Sequence, residues 1–481
     1  MSRSFSRVPA IGLFKLVLQV PYLLALAVTL VAGLSTGCQT YKNQSRNMTL
    51  SWVSGNVDQA AKEFGEKAES KSGGKDAIIW HLEAGTAYRA AGKYEESNRH
   101  FDAAASKIDD YEQKAKVSIS REAGAIMSNQ QNLPYEGKPH DKIMLHTYRA
   151  LNYLALGDIE KARPEIIRAY QRQQDAVEEN ARRIEKAKEE EEKHKDKEAI
   201  GKAKADPKFA SEVEGVTKDV EGFKFYADYV NPFTVYLDGL YFLHAGSGNS
   251  DLEHAVKSLN RVIEVSGGNK FIAADIAAAN GAGSTAPCTY ILFETGQAAS
   301  LDQVRIDIPI IISKVSYVGA AFPKLARHGG EAPALSVKAG EVQETTLPLA
   351  SMDSIIALDF KNEYPTIVTK TVISTVAKAV AAYAINEQGR KQGGTFGIFT
   401  QIATAVTQAA MNIADTRTWT TLPKEFQVAC VPTPADRTLT LSTGGAAPVE
   451  VKLLDGKVNV VYAKSITATS PLLVNQFILK Q

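Results

Sequence analysis

The chain has 481 residues, which is enough for two or three domains and for more than one hydrophobic core. Apolar residues make up 44% and charged residues 23%, a composition typical of a globular protein. The formal net charge of +1 gives no long-range field that favours nucleic acid or an anionic membrane surface, so we predict no nucleic-acid partner and expect recognition through local surfaces.

The N-terminal residues have the pattern of a secretory signal. An apolar run extends from Leu16 to Leu34, and a basic segment precedes it. The basic residues of that segment are Arg3, Arg7 and Lys15. We therefore predict a signal peptide over residues 1–37. The alternative is a signal anchor that stays in the membrane, since the run is long enough to span one, although Pro21 interrupts it.

The end of this run resembles the lipobox of bacterial lipoproteins. Small residues (Ser35, Thr36 and Gly37) precede Cys38, and Leu34 lies four residues before the cysteine rather than the usual three. The resemblance implies that Cys38 is lipidated and holds the chain on a membrane. Because Gln39 stands where inner-membrane lipoproteins carry aspartate, it also implies the periplasmic face of the outer membrane. We predict that the polar residues 38–50 form a tether.

A frame of seven positions recurs over residues 51–266. Its first copy is Gly85, Tyr88, Gly92, Tyr94, Ser97, Phe101 and Ala104. Its second copy is Ala150, Tyr153, Gly157, Ile159, Ala162, Ile166 and Ala169. Its third copy, with a longer turn, is Gly239, Phe242, Gly246, Leu252, Ala255, Leu259 and Val262. The small residues let two helices approach and a glycine turns the chain between them, so the frame resembles tetratricopeptide repeats.

Repeats of this kind stack helix pairs around a concave face that commonly holds a partner protein. The candidate groove residues are Tyr88, Tyr94, Phe101, Tyr153, Ile159 and Phe242. The alternative is a helical domain whose groove binds nothing, or binds only the chain's own C-terminal domain.

Residues 158–228 interrupt the frame with a charge-rich segment. Tyr170, Val177 and Ile184 recur every seven residues, and a second apolar series follows. That series is Phe209, Val213, Val216, Val220 and Phe223. We predict two long helices, over roughly residues 158–200 and 207–228, that form a projecting antiparallel hairpin. A solvated helix face or a disordered insertion is the alternative.

Beyond a predicted linker over residues 267–287, the pattern changes to strands. We predict an α+β domain over residues 288–481 with a mainly antiparallel sheet or sandwich, including a hairpin at Asp455-Gly456. Two apolar helices, at about 364–389 and 395–414, are expected to pack against the sheet. The alternative is an amphipathic pair that inserts into a membrane on assembly.

Two groups of residues in this domain are candidates for chemistry. Cys288 and Cys430 form either a disulfide or two buried thiols, and their spacing does not fit a metal site. Asp415, Arg417 and Trp419 form a polar and aromatic cluster. It is either a binding or catalytic edge, or a helix exit in which Asp415 pairs with Arg417 and Trp419 packs on the sheet. We favour the second interpretation.

The segment Asp415 to Pro423, DTRTWTTLP, and the segment His146 to Ala169 with its YLALGD run are similar to an uncharacterised family of bacterial outer-membrane lipoproteins. The resemblance covers nearly the whole mature chain. It implies the architecture and the location, and it carries no catalytic residue.

The sequence therefore predicts a multidomain fold, an all-α repeat with a helical hairpin followed by an α+β domain. We predict no catalytic residue, metal or cofactor. The expected function is a non-enzymatic, lipid-anchored envelope scaffold or assembly factor that binds an envelope protein, with oligomerisation left open. The alternatives are a regulator of peptidoglycan synthases, a subunit of a secretion or pore complex, and an enzyme centred on Asp415 and Arg417.

Overall fold

A computed structural model describes residues 40–117, 130–227, 229–282, 286–312, 315–392 and 413–481. Residues 1–46 and 47–481 form two separate units. The predicted signal peptide, Cys38 and most of the second apolar helix lie outside the described residues. Within the part that is described, no helix combines the length and the apolar character needed to cross a membrane.

The chain begins with helices and continues with an α+β part, as expected from the sequence. The first helices are α1 (Tyr41–Val53), α2 (Val57–Ser70), α3 (Ala77–Ala90), α4 (Tyr94–Val117), α5 (Pro139–Ala155) and α6 (Ile159–Lys193). They are followed by α7 (Lys197–Lys204), α8 (Pro207–Lys218), α9 (Pro232–His244), α10 (Gly248–Ser266) and α11 (Lys270–Ala279).

The helices pair as the sequence frame predicts. Gly92 and Gly157 turn the chain between α3 and α4 and between α5 and α6, each with a positive φ (73° and 76°) that a residue with a side chain rarely adopts. At Gly85 the neighbouring helix comes so close that a Cβ atom would overlap the ring of Phe101. The assignment of these pairs to tetratricopeptide repeats stays a prediction.

The predicted tether is wrong over most of its length, because α1 begins at Tyr41. Met48 and Trp52, four residues apart, are both buried on one side of this helix. Their burial stabilises a segment whose polar composition suggested an extended chain.

The predicted helical hairpin is also wrong. The long helix ends at Lys193, where His194 takes an extended backbone conformation, and the second arm is the two short helices α7 and α8. Val177 is 46% exposed, so the heptad series on α6 is a solvated face. The apolar series on α8 is buried, but against the α+β part: the Phe209 ring lies 6.1 Å from that of Phe322.

Three sheets lie in the described residues of the α+β part. Its strands are β1 (Cys288–Thr295), β2 (Ser300–Ile312), β3 (Val315–Ala326), β4 (Ser336–Ala339), β5 (Val342–Thr345), β6 (Leu347–Ser351), β7 (Glu425–Pro432), β8 (Thr438–Ser442), β9 (Val449–Lys452), β10 (Val458–Ser465) and β11 (Leu473–Lys480). The central five-stranded sheet has the order β11-β10-β1-β7-β6. Only its β1–β10 pair is parallel. The other sheets, β2-β3 and β5-β4-β8-β9, are antiparallel.

Three details of this part differ from the expectations. The predicted linker contains α11. The first apolar helix, α12 (Met352–Gln392), begins twelve residues earlier than predicted, and its Phe360, Tyr364 and Val372 are buried in the core that includes α7 and α8. Asp455-Gly456 does not close a hairpin: β9 pairs with β8, whereas β10 pairs with β1 and β11.

Candidate functional site

The segment of residues 413–423, which leads into β7, contacts both parts of the fold. Its Thr418 hydroxyl accepts a hydrogen bond from the Leu301 backbone in β2, and the Leu422 carbonyl accepts one from Ala298. On the other side it reaches the helices through Arg417, Trp419 and Thr420.

Arg417 is buried, and all five of its N–H donors are engaged. Nε and one Nη bind Asp415 in a bidentate pair, at 2.8 and 2.6 Å. The other contacts are to Asp76 Oδ1 at 2.9 Å, the Leu133 carbonyl at 2.9 Å and the Gln130 carbonyl at 3.3 Å. A guanidinium has no further donor to offer a ligand. Asp415 and Arg417 are therefore paired with each other, and their interpretation as a structural cluster stays a prediction.

Electrostatics keep both members of this pair ionised. Burial alone would raise the pKa of Asp415, but the hydrogen bonds and charge of Arg417 hold that pKa below its ordinary value. Burial alone would lower the pKa of Arg417, and the Asp415 and Asp76 carboxylates raise it instead. Removing Arg417 would leave the Asp415 carboxylate without its hydrogen-bonded cation, whereas removing Asp415 would leave Arg417 with Asp76 alone.

We predicted that Trp419 packs on the sheet, but its ring packs inside the helical part. Its ring lies 6.0 Å from Phe101 and 5.9 Å from Tyr148, and its indole N–H donates to Thr86 at 3.0 Å. The prediction failed because the helices leave a space between α3, α4 and α5 that only a residue distant in sequence fills.

Glu83 fixes the turn that follows Trp419. This buried carboxylate accepts the Thr420 backbone N–H and hydroxyl, both at 2.7 Å, and the Thr421 backbone N–H at 3.1 Å. Three donors aimed at one carboxylate stabilise its charge away from water. The middle of the 413–423 segment, from Arg417 to Thr421, is thus bound to the helical part.

A second buried contact joins the helices to the central sheet. Lys464 on β10 pairs with Glu294 on β1 at 2.6 Å. The Arg89 guanidinium of α3 lies 4.5 Å above the Tyr462 ring and donates to Asn152 at 2.9 Å. Together with the 413–423 segment, this cluster makes the helical and α+β parts one packed unit.

A cleft of about 720 Å³ opens beside Asp415 and Arg417. Its apolar lining includes Leu301 of β2, three residues of α12 (Ile356, Phe360 and Ile367) and two residues of the loop before α5 (Leu133 and Pro134). Its charged lining comes mainly from α6 and the start of α5, with nearly equal numbers of acidic and basic side chains. The cleft therefore combines apolar side chains with walls of both charge signs.

Ion pairs hold the charged wall in place. Glu179 receives Lys142 at 2.9 Å and Arg183 at 2.6 Å, while Glu363 of α12 receives Lys138 at 2.5 Å. Burial favours the neutral acid, but these cations lower the pKa of both Glu179 and Glu363 below the ordinary value. Ion pairs thus hold the charged side chains of the wall in place before a partner binds. This order lowers the entropy cost of binding.

His140, also in the cleft lining, lies between two carboxylates. Its Nδ1 is 2.6 Å from Asp359, and its Nε2 is 3.4 Å from Asp141 without a hydrogen bond. Burial disfavours a charged imidazole, but Asp141 and Asp359 outweigh it and raise the pKa of His140. These contacts fix the imidazole of His140 in the wall of the cleft and favour its protonated form.

Two predicted groove residues are not available to a partner. Phe101 and Phe242 are buried, Phe101 against Trp419 and Phe242 beneath Arg163. The prediction for them was wrong because the chain itself occupies the inner side of the helix pairs.

The other four groove candidates are partly buried and have partners within the chain. Tyr94 hydrogen-bonds Asn475 of β11. Tyr88 stacks on His100 at 5.2 Å, Lys161 lies 5.9 Å from the Tyr153 ring, and the Ile159 carbonyl accepts Tyr241 at 3.0 Å. The structure does not bring these four residues into one surface site, and the C-terminal strand covers part of the predicted groove.

Cys288 and Cys430 carry free thiols on neighbouring strands, each partly exposed. The structure thus places the two predicted cysteines together without a disulfide bond.

Sequence reasoning missed the residues that receive the 413–423 segment. Glu83 is an isolated acid in the apolar helix α3, and that isolation was a usable signal. Asp76 and the carbonyls of 130–133 carried no such signal, because ordinary surface loops contain the same residue types.

No group of metal-ligating side chains occurs in the described ranges. Comparisons of the chain with protein families, with curated proteins and with solved structures gave no match.

Proposed function

We propose that this chain is a non-enzymatic, lipid-anchored scaffold of the bacterial envelope that binds a segment of a partner protein in the charged cleft. We place the partner site in the cleft rather than in the predicted repeat groove, because Trp419 and β11 occupy the inner side of the helix pairs.

The cleft carries the proposal. Its volume of about 720 Å³ is in the range of ligand-binding sites and admits several side chains of a polypeptide. The apolar lining offers burial, and the fixed charges on α6 and α12 select a partner with charges of both signs around an apolar ridge.

The proposal is tested with a photo-crosslinking amino acid at Glu178, an exposed position on the cleft wall, in the full-length chain in native membranes. We expect one specific protein adduct. Arg182→Glu, one turn further along the same wall, should reduce its yield several-fold because it reverses a charge that faces the partner. Lys188→Glu makes the same charge change on the same helix but outside the cleft lining and is the matched control.

Absence of an adduct, or an adduct equally sensitive to both substitutions, would contradict partner binding in the cleft. The identity of the adduct then distinguishes the remaining alternatives, because a peptidoglycan synthase and a secretion component are different partners.

The anchor is a separate part of the proposal and rests on the sequence from Leu34 to Cys38. Metabolic labelling with a radioactive fatty acid should mark the chain, and Cys38→Ser should abolish the label and release the protein from membranes. An unsubstituted chain that stays on the membrane without taking up label would point to the signal anchor instead, and label that persists in Cys38→Ser would contradict acylation at Cys38.

A further inference from the structure

Cys288 and Cys430 lie on the same face of the antiparallel pair β1–β7. Cys288 is opposite Pro432, and Cys430 is opposite Tyr290, so the two cysteines are diagonal neighbours. Such neighbours are within side-chain reach. Both residues are partly exposed, which leaves a path for a small reagent.

The two thiols also interact with each other and with a buried polar network. Cys288 and Cys430 share a hydrogen bond, and Cys430 is in hydrogen-bond contact with Tyr290. The Tyr290 hydroxyl donates to Asp275 at 2.6 Å and lies 3.0 Å from His244 Nε2.

The interaction makes the two thiols unequal. The hydrogen bond from Cys430 lowers the pKa of Cys288, and this exceeds the opposing effect of burial. The same hydrogen bond and burial raise the pKa of Cys430 well above its usual range. Thiolate therefore forms first on Cys288, and the thiolate is the species that attacks disulfides.

We infer that Cys288 and Cys430 are a dithiol–disulfide site in which Cys288 attacks an external disulfide and Cys430 resolves the product. In the first step the Cys288 thiolate forms a bond to one sulfur of that disulfide, and the other sulfur leaves as a thiolate. In the second step Cys430 loses its proton, attacks Cys288 Sγ and releases the first sulfur as a second thiolate. The external disulfide is reduced to two thiols as the cysteine pair is oxidised.

The position of the pair predicts that the bond is easily reversed. Diagonal neighbours have Cα atoms roughly 7–8 Å apart, whereas disulfides need about 4.4–6.8 Å. A bond between them therefore needs local backbone movement, and strained disulfides are reduced more readily. The site is therefore suited to exchange rather than to permanent crosslinking.

The test uses the full-length chain with Cys38→Ser, which removes the third cysteine. Folded protein is incubated with oxidised glutathione, quenched with acid, alkylated and measured by intact mass. The chain with both cysteines should lose both alkylatable thiols without a stable glutathione adduct, and reduced glutathione in excess should restore them. Digestion should give a peptide pair linked through Cys288 and Cys430.

Single substitutions test the direction of attack. With Cys430→Ser the reaction should stop at a glutathione adduct on Cys288, and with Cys288→Ser the adduct on Cys430 should form several-fold more slowly, since burial still raises the pKa of Cys430. Circular dichroism confirms that each variant is folded. Two thiols that remain alkylatable in the chain with both cysteines would overturn the site, and equal adduct rates in the two variants would overturn the assigned direction.

Discussion

Removal of the Trp419 ring should weaken the whole fold, because this side chain joins its two parts. The ring is fully buried, between Phe101 and Tyr148, and its N–H donates to Thr86. A buried tryptophan replaced by alanine loses about 3–5 kcal/mol of unfolding free energy through lost burial and the cavity left behind. Trp419→Phe keeps much of the packing but loses the hydrogen bonds, so we expect about 1–2 kcal/mol.

The measurement is equilibrium urea unfolding of the full-length chain, followed by circular dichroism and by tryptophan fluorescence. Trp419→Ala should lower the midpoint of both curves, in which the remaining tryptophans, Trp52 and Trp80, report on the helices. Leu50→Ala, at a side chain that is 60% exposed, is the control and should change the free energy by less than about 0.5 kcal/mol. A loss below about 1 kcal/mol for Trp419→Ala would refute this account of the junction.

Two further predictions concern close packing and pH. Gly85→Ala places a methyl group against Phe101 and should cost about 1–3 kcal/mol in urea unfolding, whereas Gly201→Ala, with open space around it in α7, should stabilise by about 0.5–1 kcal/mol. Equal effects would contradict the close approach of α3 and α4. Burial raises the pKa of Asp275 to about 6, so between about pH 4 and 6 the folded state binds a proton that the unfolded state lacks, and stability falls as pH rises through this window. Asp275→Asn should remove that part of the pH dependence of Tm; an unchanged slope would argue against a raised pKa.

Local patterns in the sequence were sufficient for the type of most elements. The glycines at 92 and 157 identified turns between helices, because that signal depends only on neighbouring residues. The helix predicted from residue 207 does begin there as α8, and the Asp206 carboxylate accepts the Phe209 N–H as its N-terminal cap.

Pairing between distant residues was not accessible in this way. The apolar series on α8 was read correctly as a buried face, but its partner is β2, β3 and α12 rather than α6. Likewise Asp455-Gly456 has the composition of a hairpin turn, yet Val458 pairs with Cys288 on a strand 170 residues earlier. An apolar face indicates that another element buries it, but it does not indicate which element does so.

The same difference between local signals and long-range contacts holds for the candidate site. Asp415 and Arg417 were recognised as a pair from their spacing, and the structure confirms it. The cleft was not predicted, because its walls come from α5, α6 and α12 and its charges look like ordinary surface residues in the sequence.

The contact between Glu83 and Thr420 joins residues 337 positions apart, and Trp419 can pack among the helices only after it has been synthesised. During synthesis the first helices therefore cannot complete their hydrophobic core until most of the chain has been made. Closing so long a loop is an entropic barrier, so folding should be slow and should occur after translation rather than helix by helix. Until then the helices expose the apolar surface around Phe101 that Trp419 later covers, and in the cell they would depend on chaperones until the chain is complete.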